Sequence, residues 1–135
     1  MQLLTDLKNG VVIGQSLAPV AATATGNGTG VDLLNGDVRT HCIIDNGAVT
    51  GAAIWTVQME YSDDNSAWTA EPGADALSGQ ISAAGITILS YTRHGRYARA
   101  VRTLVSGTSS IIGMSILAMK KDAPASYGYD RSPST

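Results

Sequence analysis

The sequence predicts an all-β fold: a single β-sandwich of jelly-roll type, built from seven to eight short antiparallel strands. Three observations lead there. Several segments alternate apolar and polar residues with a period of two, as a strand with one buried face requires. Turn-forming clusters recur at roughly ten-residue spacing, which belongs to sandwiches and barrels rather than to βαβ units. Charged residues make up only 15% of the 135 residues. That is well below the quarter usual in soluble domains, so long helices would lack their Lys- and Glu-rich outer faces.

In chain order, Leu3, Leu4 and Leu7 share a face if the first residues are helical. A short helix or ordered arm is expected there, with a strand completing a sheet edge as the alternative. Residues 11–17 and 29–34 are the weaker strand candidates. Residues 38–45 alternate well, with Val38, Thr40, Cys42 and Ile44 opposite Arg39, His41, Ile43 and Asp45. Residues 53–61 alternate best: Trp55, Val57, Met59 and Tyr61 form one face, and Ile54, Thr56, Gln58 and Glu60 the other. Residues 86–91, 96–105 and 111–119 are rich in β-branched or aromatic side chains and complete the set. Between them lie turn clusters at 26–30, 35–37, 45–47, 62–66, 71–73 and 106–108, built from Gly, Asn, Asp, Ser and Pro. The division expected is an N-terminal arm over 1–10, a sandwich domain over 11–121 and a flexible C-terminal tail over 122–135, where Pro, Ser, Ala, Gly, Tyr and Asp dominate.

Composition also narrows function. Nine basic against eleven acidic residues give a net charge of −2, the wrong sign for a dedicated nucleic-acid binder. Cys42 is the single cysteine, which excludes an intramolecular disulfide and a Cys₄ or Cys₂His₂ zinc site. Its apolar neighbours predict a buried, inert thiol. The longest apolar stretch falls short of the ~20 residues that cross a bilayer. The first residues lack the basic and apolar regions of a secretion signal, so the expected place of synthesis is a cytoplasm.

No motif that would carry chemistry is complete. There is no Gly-x-Ser-x-Gly, and His41 and His94 lie far apart with no helical pairing. Asp63-Asp64-Asn65 lacks the glycine and closing glutamate of a calcium loop and reads as a solvated hairpin turn. The Gly-rich 26–30 segment runs into another turn rather than a helix, so it does not read as a phosphate cradle. The expectation is a non-enzyme with no cofactor and no metal. The one concentration of positive charge holds Arg93, Arg96, Arg99 and Arg102. On a strand, Arg96 and Arg102 share a face with Ala98 and Ala100, while Arg99 joins Tyr97 and Val101. Pairing with the domain's own carboxylates is the first expectation for these arginines, contact with a protein partner the second, nucleic acid the third. Trp68 packs at a sandwich edge or stacks on a sugar.

The order of these features resembles a known class. A Gly-rich turn runs into Gly30-Val31-Asp32-Leu33. Val57-Gln58-Met59-Glu60-Tyr61-Ser62-Asp63-Asp64-Asn65-Ser66-Ala67-Trp68-Thr69 follows, then Arg96-Tyr97-Ala98-Arg99-Ala100-Val101 and a last apolar strand ending in Met119-Lys120-Lys121. Over residues 20–121 this is similar to head decoration (capsid cement) proteins of tailed bacteriophages and related β-sandwich virion components. The resemblance implies a virion structural protein on the capsid exterior that bridges major capsid protein subunits, often as a homotrimer, with no catalytic residues, nucleic-acid contact or membrane. Leu3, Leu4, Leu7, Arg93, Arg96, Arg99 and Arg102 are the expected intersubunit or capsid contacts. Two alternatives stand beside it: a carbohydrate- or ligand-binding module using Trp55 and Trp68, and a tail, head-completion or spike component.

Overall fold

The structure is a computed structural model that describes residues 7–121. After one helical turn, α1 (Leu7–Gly10), come nine strands: β1 (Val11–Ala22), β2 (Gly26–Asn27), β3 (Val31–Asp32), β4 (Gly36–Thr50), β5 (Ile54–Ser62), β6 (Thr69–Ala70), β7 (Gly85–Thr92), β8 (Tyr97–Ser106) and β9 (Ser109–Lys120). A 3₁₀ turn, Ala74–Ala76, lies between β6 and β7. The helical turn meets the expectation for Leu7. Leu3, Leu4 and the tail 122–135 lie outside the described residues.

The strands form two antiparallel sheets, one ordered β1-β9-β4-β7 and the other β2-β8-β5-β6, with β3 also on β8. Taken as one interrupted strand, β2 and β3 complete a nested set of antiparallel pairs: β1 with β9, β2/β3 with β8, β4 with β7, and β5 with β6. This nesting, wrapped into two facing sheets, is the jelly-roll topology the sequence predicted. The innermost turn is the acidic cluster. Asp64 Oδ1 accepts from Ser62 Oγ and from the Ser66 and Ala67 amides, each at 2.9 Å. Those N–H donors hold its carboxyl below the usual carboxylate range, the Ala67 amide most.

Period-two alternation decides what faces inward. Trp55, Val57 and Met59 of β5 meet Cys42 and Ile44 of β4, Ala98 and Ala100 of β8, and Ile112, Met114, Ile116 and Ala118 of β9. Each Ile or Met fully withdrawn from water contributes about 1.5–3 kcal/mol before chain entropy is counted. The Trp55 indole N–H donates to Ser110 Oγ at 2.7 Å, so the largest core ring leaves no orphan donor. Burial pushes the Cys42 thiol up to about 12, as suits an unreactive core group.

Ser16 ties the sheets at one side. Its hydroxyl donates to Thr29 O at 2.9 Å and accepts from the Ala100 amide at 3.0 Å. Gly28 is obligatory there, since a Cβ would sit 2.7 Å from Ala100 O. Two expectations need correction. The turn expected at Asp45-Asn46-Gly47 is instead part of β4, which continues to Thr50 with a register shift between Asn46 and Val49. The extra residues are absorbed as a bulge, which turn-like residues favour as readily as they favour a reversal. The Gly-rich 26–30 segment supplies β2 rather than a free turn.

Candidate functional site

The connection from β7 to β8 places the arginine cluster. Arg93, its first residue, turns inward and is 8% exposed. Its Nε donates to Gly95 O at 2.6 Å, its Nη1 to Asp37 O at 2.9 Å and Thr40 Oγ1 at 2.8 Å, and its Nη2 to Leu33 O at 3.1 Å and Gly36 O at 3.3 Å. Every N–H of the guanidinium fork thus has an acceptor, four of them backbone carbonyls of the loops it gathers. Burial lowers the Arg93 pKa, and the Tyr91, Glu71 and Asp37 charges oppose that shift.

Beside it, the Glu71 carboxylate, 1% exposed, pairs with His94 Nδ1 at 2.5 Å, and its other oxygen accepts from the His94 amide at 3.1 Å. Sequence reasoning saw only turn chemistry at residue 71; the Glu-Pro-Gly run hides an anchored carboxylate. A cleft of about 200 Å³ opens here, lined by Arg39, Glu71, Asp75, Tyr91, Thr92 and His94. The Tyr91 hydroxyl is buried with no hydrogen-bond partner among the described residues. Burial first, and then the Glu71 charge, raise its pKa.

The other three arginines are also engaged within the chain. Arg96 forks onto Asp32, Nε to Oδ1 at 2.9 Å and Nη2 to Oδ2 at 2.7 Å. Arg99 bonds Glu60 Oε1 at 2.7 Å and lies 4.5 Å from the centre of the Trp68 ring. Arg102 donates to Ala24 O at 3.1 Å and sits 5.8 Å from the Trp55 ring centre. The four therefore share one connection and strand, each held by its own partner, as the carboxylate-pairing expectation has it for Arg96 and Arg99. Leu7 is 61% exposed on α1. The two rings offered for sugar stacking are occupied: Trp55 lies in the core, and Trp68 carries the Arg99 guanidinium.

A different surface emerges on the outside of the β1-β9-β4-β7 sheet. Ladder register places Ile13, Leu117, His41 and Ser90 in one row across it, and Gln15, Ser115, Ile43 and Ile88 in the next. Ile13 is 58%, Ile86 67% and Ile88 60% exposed, with Met119 beside them. Arg39 and Asp45 stand on the outward side of β4, and neither side chain has a hydrogen bond or ion pair among the described residues. His41 accepts or donates one hydrogen bond, to Ser90 Oγ at 2.7 Å. Desolvation, and then the Arg39 charge, lower its pKa. The alternation that predicted β4 already carried this signal, since Ile43 stands among its outward residues. Among the described residues no group of three or more His, Cys, Asp or Glu could hold a metal, and no helix is long and apolar enough to cross a membrane.

Fold and surface together define a jelly-roll sandwich with one sheet face that is apolar and uncovered among the described residues. No family model matches the chain, and no curated protein matches it by sequence. Among solved structures it is similar to the SPBc2 prophage-derived protein YomS, at 14% identity and a TM-score of 0.48, over 82% of this chain and 95% of that one. It is also similar to a chain in the structure of infectious bursal disease virus, Gx strain, at 7% identity and a TM-score of 0.35, over 87% of this chain. It spans only 34% of that viral chain. At these scores neither likeness carries a functional argument.

Proposed function

We propose that the chain is a non-enzymatic structural component of a bacteriophage particle, one that adds to the capsid exterior and bridges major capsid protein subunits. The observation that supports this reading is the outer face of the β1-β9-β4-β7 sheet. A sheet that ends its work at a water interface places polar residues outward, whereas this one places Ile13, Ile86, Ile88 and Met119 there. Such a face is stable in water at modest size and gains when an assembly covers it. The order of turns and strands, similar to capsid cement proteins, points the same way. Because the arginines of β8 are committed within the chain, the sheet face takes the place given to them as the principal contact.

Immunogold labelling of purified particles from the phage or prophage that encodes the chain tests this. Label over the head shell is expected. Label confined to the tail or its tip would move the chain to the tail or spike components, and particles without label would end the virion reading.

A further inference from the structure

The geometry points to a second copy of this chain as the occupant of the apolar face, the two sheets stacking about a two-fold axis that crosses the strands at the row Gly14–Ile116–Cys42–Leu89. This pairing deepens the virion reading, whose supporting observation is the same face, by giving that face to contact between copies of the chain and leaving the capsid contact to the rest of the surface.

Charge selects the axis. Arg39 and Asp45 lie on the same strand and the same side, three residues to either side of Cys42, and neither has an ion-pair partner within the described residues. The other described arginines all have partners in the chain. A two-fold axis across the strands at Cys42 lays Arg39 of each copy over Asp45 of the other, whereas an axis along the strands would set like charges together. Stacked sheets sit about 10 Å apart and cross at about 30°, a displacement that a long arginine side chain can span.

Shape agrees with charge. The same operation sets Leu117 over Ser115 of the second copy, Ile88 over Ser90 and Ile86 over Thr92, because each pair is symmetric about that row. In these three pairs a large side chain meets a smaller one, the arrangement that lets two layers interdigitate, while Ile43 falls over His41 and Ile13 over Gln15. Four strands about 4.8 Å apart, each giving roughly eight residues of about 3.4 Å, make a face of about 500 Å², or about 1,000 Å² for the pair, where specific interfaces begin. The result is a dimer of modest affinity, in place of the trimer the resemblance implies.

Sedimentation of the full chain across micromolar concentrations, with three variants, decides this. The wild type should form a reversible dimer. Asp45→Arg and Arg39→Asp should each weaken it about tenfold or more, and the double swap, Arg39→Asp with Asp45→Arg, should restore it. Both positions are exposed, so circular dichroism should show unchanged folds. A wild-type monomer, a trimer indifferent to the swaps, or a double variant no tighter than the singles would overturn the pairing. Loss of the dimer with particle label retained would leave the virion reading standing, and a dimer without label would do the reverse.

Discussion

The outward faces of the two sheets obey the same alternation and are filled in opposite ways. On the β8-β5 side, Arg99 pairs with Glu60, and Gln58 donates to the carbonyls of Met59, Glu71 and Ala76. The free edge of β5 is stitched by the segment after the 3₁₀ turn, with the Ser78 amide on Val57 O and the Trp55 amide on Ile81 O. On the β4-β9 side the corresponding positions hold Ile13, Ile43, Ile88 and Leu117, and the side chains of Arg39 and Asp45 on β4 have no ion-pair partner among the described residues. One face closes its own polar accounts and the other leaves them for something else to close. Period-two patterning therefore predicts a fold equally well for both sheets, while only the identity of the outward residues separates a solvated face from a docking face.

The contrast is sharpest between a buried and an exposed cation. Arg93→Met removes five hydrogen bonds, two of them to buried carbonyls, of which Leu33 O keeps the Gly36 amide, so urea denaturation should show a loss of about 3–5 kcal/mol. Arg39→Met on the open face should change stability by less than about 0.5 kcal/mol. Equal effects would mean that Arg93 does not knit the loops as described. Next in size, Ile88→Glu should abolish self-association in sedimentation, while Thr56→Glu on the opposite sheet should leave the mass unchanged; if both act alike, the two faces do not differ in role.

A smaller effect follows from His41. Its folded pKa lies below the ordinary value of 6.5, through desolvation and then Arg39. Between those two values the unfolded chain binds more protons than the folded one. Stability is therefore complete above about pH 6.5 and declines as the pH falls toward the folded value. Self-association, which buries His41 further, should weaken over the same window, and His41→Gln should flatten both profiles. The smallest effect belongs to Asp32. Its carboxyl is held down chiefly by the Arg96 hydrogen bond, so its contribution is present above the ordinary carboxylate pKa and is lost as the pH falls through the lowered one. The pair is exposed and screened, and Asp32→Asn should trim only the acid limb of a denaturation profile, less so in high salt.

Much of this was legible in the residues. The central strands β4 and β5 announced themselves through alternation around Cys42 and Val57, because both sheets face the same core, and β9 through its β-branched content. The role of Arg93 was not legible, since its acceptors are carbonyls at residues 33–37, some sixty positions away, and carbonyls have no sequence signature. Likewise the bulge at Asn46-Gly47 used the same residue types as a turn, and only the ladder on β9 shows that the strand continues. For the surface, the sequence named arginines because charge stands out in a lightly charged chain. The apolar face was spread over four strands that only the folded register brings side by side.

The nested pairing also sets a timetable. Within its sheet β1 pairs only with β9, which begins about a hundred residues later. At a synthesis rate of about 5–20 residues per second, the first strand waits roughly 5–20 s for that sheet partner to be made. Through that interval Pro19 and the register shifts on either side of Leu17 interrupt its hydrogen-bonding edge. The kink that looks like a flaw in the finished sheet is then a guard on the nascent one, keeping an unfinished chain from pairing with its neighbours on the polysome.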